Sequence, residues 1–265
     1  MIGTVLEEIV ARTRVDLEAR RDARPLASFE PSLSPSTRSF RDALRDGRGN
    51  AEPGWPSLIA EFKPRSPSRG EIRPGATPAE IVPIYEDRAS CISVLCDEPF
   101  FGGGFGTLAA ARRETGRPII CKDFIVDAYQ IHEAREAGAD AVLLMATVLT
   151  NAELSSLYAV AESHGMDALV EVHDERELDR VLAASFPIVG VNSRDLKTLK
   201  IDRDRMIALL DRIPADRVRV AESGVDRRED VARLVGVAHA VLIGSTLMAA
   251  PDPAAAIEEL GWRSV

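Results

Sequence analysis

Short apolar, β-branched runs alternate along this chain with longer segments whose apolar residues recur at helical spacing. The runs stand at 57–62 (SLIAEF), 91–96 (CISVLC), 118–124 (PIICKDF), 141–146 (AVLLMA), 168–173 (ALVEVH), 188–192 (IVGVN), 217–222 (RVRVAE) and 240–244 (AVLIG). Continuous apolar runs of this length read as strands buried on both faces. Helix-period segments lie between them, at 78–88, 105–115, 126–137, 151–164, 174–184, 203–212 and 226–235. Thr77 ahead of Pro78, Asp127, Asn151, Asp174 and Asp202 predict helix starts, because their side chains can accept from orphan backbone N–H groups. His-Gly and Ala-Gly pairs predict left-handed stops at two C-termini.

Strands alternating with helices predict a parallel sheet, and eight units in about 250 residues are the number that a closed (β/α)8 barrel requires. A doubly wound open sheet is the competing arrangement, but it usually has fewer strands and less even spacing. Ahead of the first strand the pattern gives a helix, a Pro/Ser-rich stretch at 31–36 (PSLSPS) and the segment FRDALRDG. The expected organisation is one domain over 1–265: an N-terminal helical extension at 1–55, packed against the bottom or side of a barrel at 56–260.

Chemistry in such a barrel comes from the C-terminal strand ends and the loops after them. There the sequence places Glu61 and Lys63, Lys122 and Phe124, Glu171 and His173, Asn192 and Arg194, Glu222-Ser223-Gly224, and Gly244-Ser245. Successive strand side chains alternate faces, so residues two apart point the same way. Glu61/Lys63, Lys122/Phe124, Glu171/His173 and Asn192/Arg194 are therefore same-side pairs, with Ile59, Ile120 and Leu169 filling the layers below. A single charge at a strand end is usually a solvated loop residue; five strand ends with polar groups on one parity predict a convergent site. The glycine-bearing turns ESGV and IGST predict a phosphate site, where backbone N–H groups can approach an anion closely.

Composition mainly excludes. The net charge of -9 leaves no basic surface for nucleic acid or an anionic membrane. Cys91, Cys96 and Cys121 lie in apolar runs without metal-ligand spacing, which predicts buried reduced thiols and a cytoplasmic protein. No segment has the apolar core of a signal peptide or the length of a membrane span. GGGFG at 102–106 lacks the spacing of a dinucleotide loop. His132, His164 and His239 read as structural or solvated, and His173 as a rim residue.

Taken together, the segments IAEFKPRSPSRG (59–70), SVLCDEPFFGG (93–103), KDFIVDAYQI (122–131), ADAVLL (139–144), GMDALVEVH (165–173), GVNSRDLKTL (190–199), VAESGV (220–225) and LIGSTLM (242–248) resemble the indole-3-glycerol-phosphate synthase family. They cover roughly residues 40–260, in the family's order. The resemblance implies ring closure of 1-(2-carboxyphenylamino)-1-deoxyribulose 5-phosphate with loss of carbon dioxide and water, without metal or organic cofactor. It implies Lys122 as general acid, Glu171 as base, Lys63 steering the substrate's anionic groups and Glu61 holding the lysines. Asn192, Arg194, Glu222 and Ser223 would bind hydroxyls and carboxylate, and Ser66 the anthranilate carboxylate. Phe101, Phe124, Leu143 and Leu196 would enclose the aryl ring, and Gly224, Gly244 and Ser245, with Lys63, would hold the phosphate. The mutual charges of these groups are expected to make the lysine a usable acid near neutrality. The partner expected is a phosphorylated small molecule, acting on a monomer or loose homo-oligomer. The sequence departs from the family at Cys96, at 88–90 (RAS), at 183–187 (AASFP) and at Met145-Ala146-Thr147.

Overall fold

The computed structural model describes residues 4–47, 51–195 and 199–264. Its strands are β1 (Ser57–Phe62), β2 (Arg65–Ser66), β3 (Gly70–Glu71), β4 (Cys91–Leu95), β5 (Ile119–Lys122), β6 (Ala141–Met145), β7 (Asp167–Val172), β8 (Ile188–Asn192), β9 (Val218–Glu222) and β10 (Ala240–Ile243). All but β2 and β3 pair in parallel in the closed order β1-β10-β9-β8-β7-β6-β5-β4. The eight apolar runs are therefore the eight staves of a (β/α)8 barrel.

The helices are α1 (Val5–Ala23), α2 (Phe40–Arg45), α3 (Pro78–Glu86), α4 (Glu98–Phe101), α5 (Phe105–Arg113), α6 (Ala128–Glu136), α7 (Asn151–Ser163), α8 (Glu175–Leu182), α9 (Arg203–Arg212), α10 (Arg228–Ala232), α11 (Ser245–Ala249) and α12 (Pro253–Leu260). Thr77, Asp127, Asp174 and Asp202 occupy the predicted N-cap positions. The cap of α7 is Thr150 rather than Asn151. Thr150 has a glutamate three residues on, and the two exchange hydrogen bonds with each other's backbone N–H, which Asn151 could not do. The predicted stops hold: Gly138 and Gly165 have φ of +100° and +64°.

Alternation sorts the strand side chains into two cores. Ile59, Cys91, Ile120, Ala141, Leu169, Ile188, Val220 and Leu242 point inward, and the partners on the other parity pack under the helices. Phe40 and Leu44 of α2 close the N-terminal end of the barrel, where Ser57 Oγ donates to the Leu44 carbonyl at 2.9 Å.

The extension does more than cover the bottom or side. Val5, Leu6 and Ile9 of α1 border the cavity at the opposite, C-terminal end. From there α1 descends along α6, with Arg21 on Asp127 and Arg24 on Glu136, both at 2.6 Å. Leu17, Phe29, Val126 and Tyr129 form the apolar seam beneath it. The extension thus runs from the mouth, past α6, to α2 at the base.

Candidate active site

Register sets the heights of the inward side chains. Glu171 lies level with Met145 and Gly190, and Glu222 level with Asn192 and Leu242. Gly190 leaves the space that Glu222 fills: a Cβ there would overlap Oε1 of Glu222. Between the two carboxylates stands Lys122, whose Nζ donates to Glu171 Oε2 at 2.8 Å and to Glu222 Oε2 at 2.6 Å. All three are nearly sealed, with side-chain exposures of 11%, 2% and 1% in that order.

A second ammonium–carboxylate pair comes from β1. Lys63 Nζ lies 2.6 Å from Glu61 Oε1, and Ser93 Oγ donates to the other oxygen at 3.3 Å. A Cβ at Gly244 would strike this carboxylate, so glycine is required where β10 passes Glu61. Beyond Lys63 the chain forms the β2–β3 hairpin, pinned to α4 by Arg65, whose guanidinium donates to the Glu98 carbonyl at 2.9 Å and to that of Pro99. Arg65 is thus a loop anchor, and Ser66, buried and accepting from the Arg69 N–H at 3.2 Å, turns toward the cavity.

The cavity over these groups is lined on one side by Phe101, Phe124, Leu95, Leu143 and Met145, and on the other by Ser223, Gly224, Gly244 and Ser245. The Phe101 and Phe124 rings pack on each other, 6.0 Å apart at 36°, and form an apolar wall. Asn192 and Arg194 stand at its edge, linked by the Arg194 N–H donating to Asn192 Oδ1 at 3.0 Å. Ser223 and Gly224 both have positive φ, +65° and +77°, which turns this loop sharply at the cavity wall. Leu196 lies outside the described residues. Every other residue given a catalytic or binding role from the sequence borders this one cavity.

A family model described as indole-3-glycerol phosphate synthase matches residues 6–260. The chain is 44% identical over 261 residues to the indole-3-glycerol phosphate synthase of Albidiferax ferrireducens, covering 97% of each chain. Identity is 44% to the protein of that name from an Azoarcus species, with 98% of this chain and 99% of that one covered. It is 43% to the one from Variovorax paradoxus, with 97% and 98% covered. The chain belongs to the indole-3-glycerol phosphate synthase family. That is a family of decarboxylating lyases of tryptophan biosynthesis.

The electrostatics of this synthase-family site run against one sequence expectation. Burial works against the Lys122 ammonium, but Glu171, Glu222 and Glu61 outweigh it and raise its pKa. Carboxylates stabilise a neighbouring ammonium, so the free site makes Lys122 a weaker acid, not one tuned to neutrality. The two glutamates divide. Burial and the charge of Glu171 push Glu222 up to about 8. For Glu171 burial acts upward, yet Lys122 and His173 prevail and lower it.

Sequence reasoning set His173 at the rim and left out other residues that touch the site. His173 is buried, with Nε2 at 3.3 Å from Glu171 Oε1, rather than free at the rim. Thr147 and Glu177 hold its other nitrogen. The signal was present in the His173/Glu177 spacing at the start of α8, where a first-turn side chain can reach back to the preceding loop. Val5, Leu6 and Ile9 carried no such signal, because a helical stripe does not say what it docks against.

Proposed function

We propose that the chain closes the indole ring of 1-(2-carboxyphenylamino)-1-deoxyribulose 5-phosphate, releasing carbon dioxide and water. The observation that carries the reading is the Lys122 ammonium bracketed by Glu171 and Glu222 beneath an apolar cavity wall. Attack of the aryl carbon on the C2′ ketone places negative charge on the ketone oxygen. Lys122 protonates it as the general acid, and Glu171, the lower-pKa carboxylate, takes the proton lost in dehydration.

Because the resting carboxylates hold Lys122 charged, its acidity is released by the substrate. An alkoxide forming beside Nζ is a far stronger base than either carboxylate, so the proton transfers there without a lowered lysine pKa. Lys63, held by Glu61, pairs with the substrate's carboxylate and phosphate, and Ser66 contacts the carboxylate. Asn192, Arg194, Glu222 and Ser223 bind hydroxyls and carboxylate. Phe101, Phe124, Leu143 and Leu196 enclose the aryl ring, while Gly224, Gly244 and Ser245 receive the phosphate on backbone N–H groups.

The whole of 1–265 acts as one catalytic unit, as a monomer or loose homo-oligomer. Cytoplasmic location is supported by the buried thiols of Cys96 and Cys121. Among the described residues no helix is long and apolar enough to cross a membrane. The test is direct: adding the carboxyphenylamino ribulose phosphate produces indole fluorescence without added metal or nucleotide, whereas a requirement for either overturns the reading.

A further inference from the structure

The reaction proposed above has a proton balance that the Lys122–Glu171 pair cannot close alone. A carboxylate leaves as neutral carbon dioxide and a ketone oxygen leaves as water. Starting from the ionised carboxylate, each turnover therefore takes one proton from solution. That proton must reach a cluster in which the side chains of Glu61, Glu171 and Glu222 are no more than 3% exposed.

One side-chain chain leads out of it. Exposure rises from 2% at Glu171 to 10% at His173 and 15% at Glu177. Thr147 Oγ donates to Glu177 Oε1 at 2.7 Å, so its oxygen is free to accept from His173 Nδ1–H at 3.0 Å. The His173 backbone N–H donates to Glu177 Oε2 at 2.7 Å, fixing the carboxylate from its other side. The ring is thereby held with Nε2 buried, facing Glu171 Oε1 at 3.3 Å and making no hydrogen bond of its own. A buried ring nitrogen 3.3 Å from a buried carboxylate, with no other partner, suits proton transfer once the ring turns into line.

We propose that His173, held by Thr147 and Glu177, is a positioning and relay residue that feeds solvent protons to Glu171. In the relay step the imidazolium Nε2–H bond breaks and an O–H bond forms on Oε1 of Glu171, cancelling one positive and one negative charge. After a half-turn of the carboxyl group, the acid passes that proton to the Lys122 amine left by protonation of the ketone. Ammonium and carboxylate are restored; the ring, whose Nδ1 keeps its hydrogen, then swings Nε2 from Glu171 toward Glu177, where solvent returns the proton. The groups facing His173 are Glu171 on β7, Glu177 on α8, Thr147 after β6 and, with opposing charge, Lys122 on β5. Burial disfavours the imidazolium, but the Glu177 hydrogen bond and the charges of Glu171 and Glu177 prevail and raise its pKa.

The relay rests on the proposed function, and its test separates the two. His173→Gln keeps a side-chain amide in place without a titrating nitrogen. It is expected to lower steady-state kcat by about tenfold with KM unchanged, the lower edge of acid–base effects. Added imidazole buffer should restore the rate in a saturable way. A single turnover with enzyme in excess should stay within about twofold of wild type, because the stored proton suffices once. An unchanged kcat, or a loss that also slows the single turnover and ignores buffer, overturns the relay. Should His173→Gln fold poorly, Glu177→Gln must show the same buffer rescue to a smaller degree, and its absence also overturns it. A wild-type chain that makes no indole product overturns the function instead.

Discussion

At Lys122 two carboxylates compete for one ammonium, Glu171 at 2.8 Å and Glu222 at 2.6 Å, and their titrations part accordingly. Glu222, pushed up to about 8 by burial and the charge of Glu171, keeps its proton to higher pH than the unfolded chain does. The folded state therefore binds the extra proton between the two values, and raising pH through that window costs stability. Glu222→Gln mimics the neutral acid. Its Tm relative to wild type should rise steadily from pH 5 to about pH 8 and then level; a difference independent of pH would contradict the raised value. The identities of Lys122, Glu171 and Glu222 were legible because each ends an apolar run on the inward parity. The sign of the lysine shift was not, since it depends on two carboxylates reaching one Nζ. His173 was placed correctly by parity, but its part depends on Glu177 folding back from the next element.

Among the elements, β8 shows how small residues position catalytic groups. Gly190 lies opposite Glu171 in register and leaves the volume that Glu222 occupies. Gly190→Ala should keep the barrel folded but displace the Glu222 carboxylate, lowering kcat by about 100-fold or more through misplacement at the site. Circular dichroism and kcat together check this, and a variant with near-normal turnover would show that Glu222 needs no such space. Strand order and helix alternation were legible because parallel staves buried on both faces are apolar throughout. The Thr150 cap was not, since Thr150 and Asn151 are both good caps and only the reciprocal bond to Glu153 chooses between them.

For the molecule as a whole, α1 couples the outer surface to the mouth. The ion pairs that Arg21 and Arg24 make with α6 are substantially exposed and contribute little. The buried seam of Leu17, Phe29, Val126 and Tyr129 therefore does most of the holding. Leu17→Ala should weaken that docking by about 2–4 kcal/mol. KM should rise, because Val5, Leu6 and Ile9 form part of the cavity wall, while kcat at saturation changes little. Limited proteolysis of the extension alongside KM checks this, and an unchanged KM with a freed helix would remove α1 from the binding site. The placement of this helix was hidden from the sequence: its stripe shows an apolar face, not the surface it covers.

The central claim is that Lys122 supplies the proton to the closing ring, and kcat of Lys122→Met on the carboxyphenylamino ribulose phosphate tests it most directly. Indole-product fluorescence should show kcat reduced by more than about 100-fold in a chain that still folds, the scale of a lost general acid. A folded Lys122→Met variant that turns over within about tenfold of wild type would contradict it.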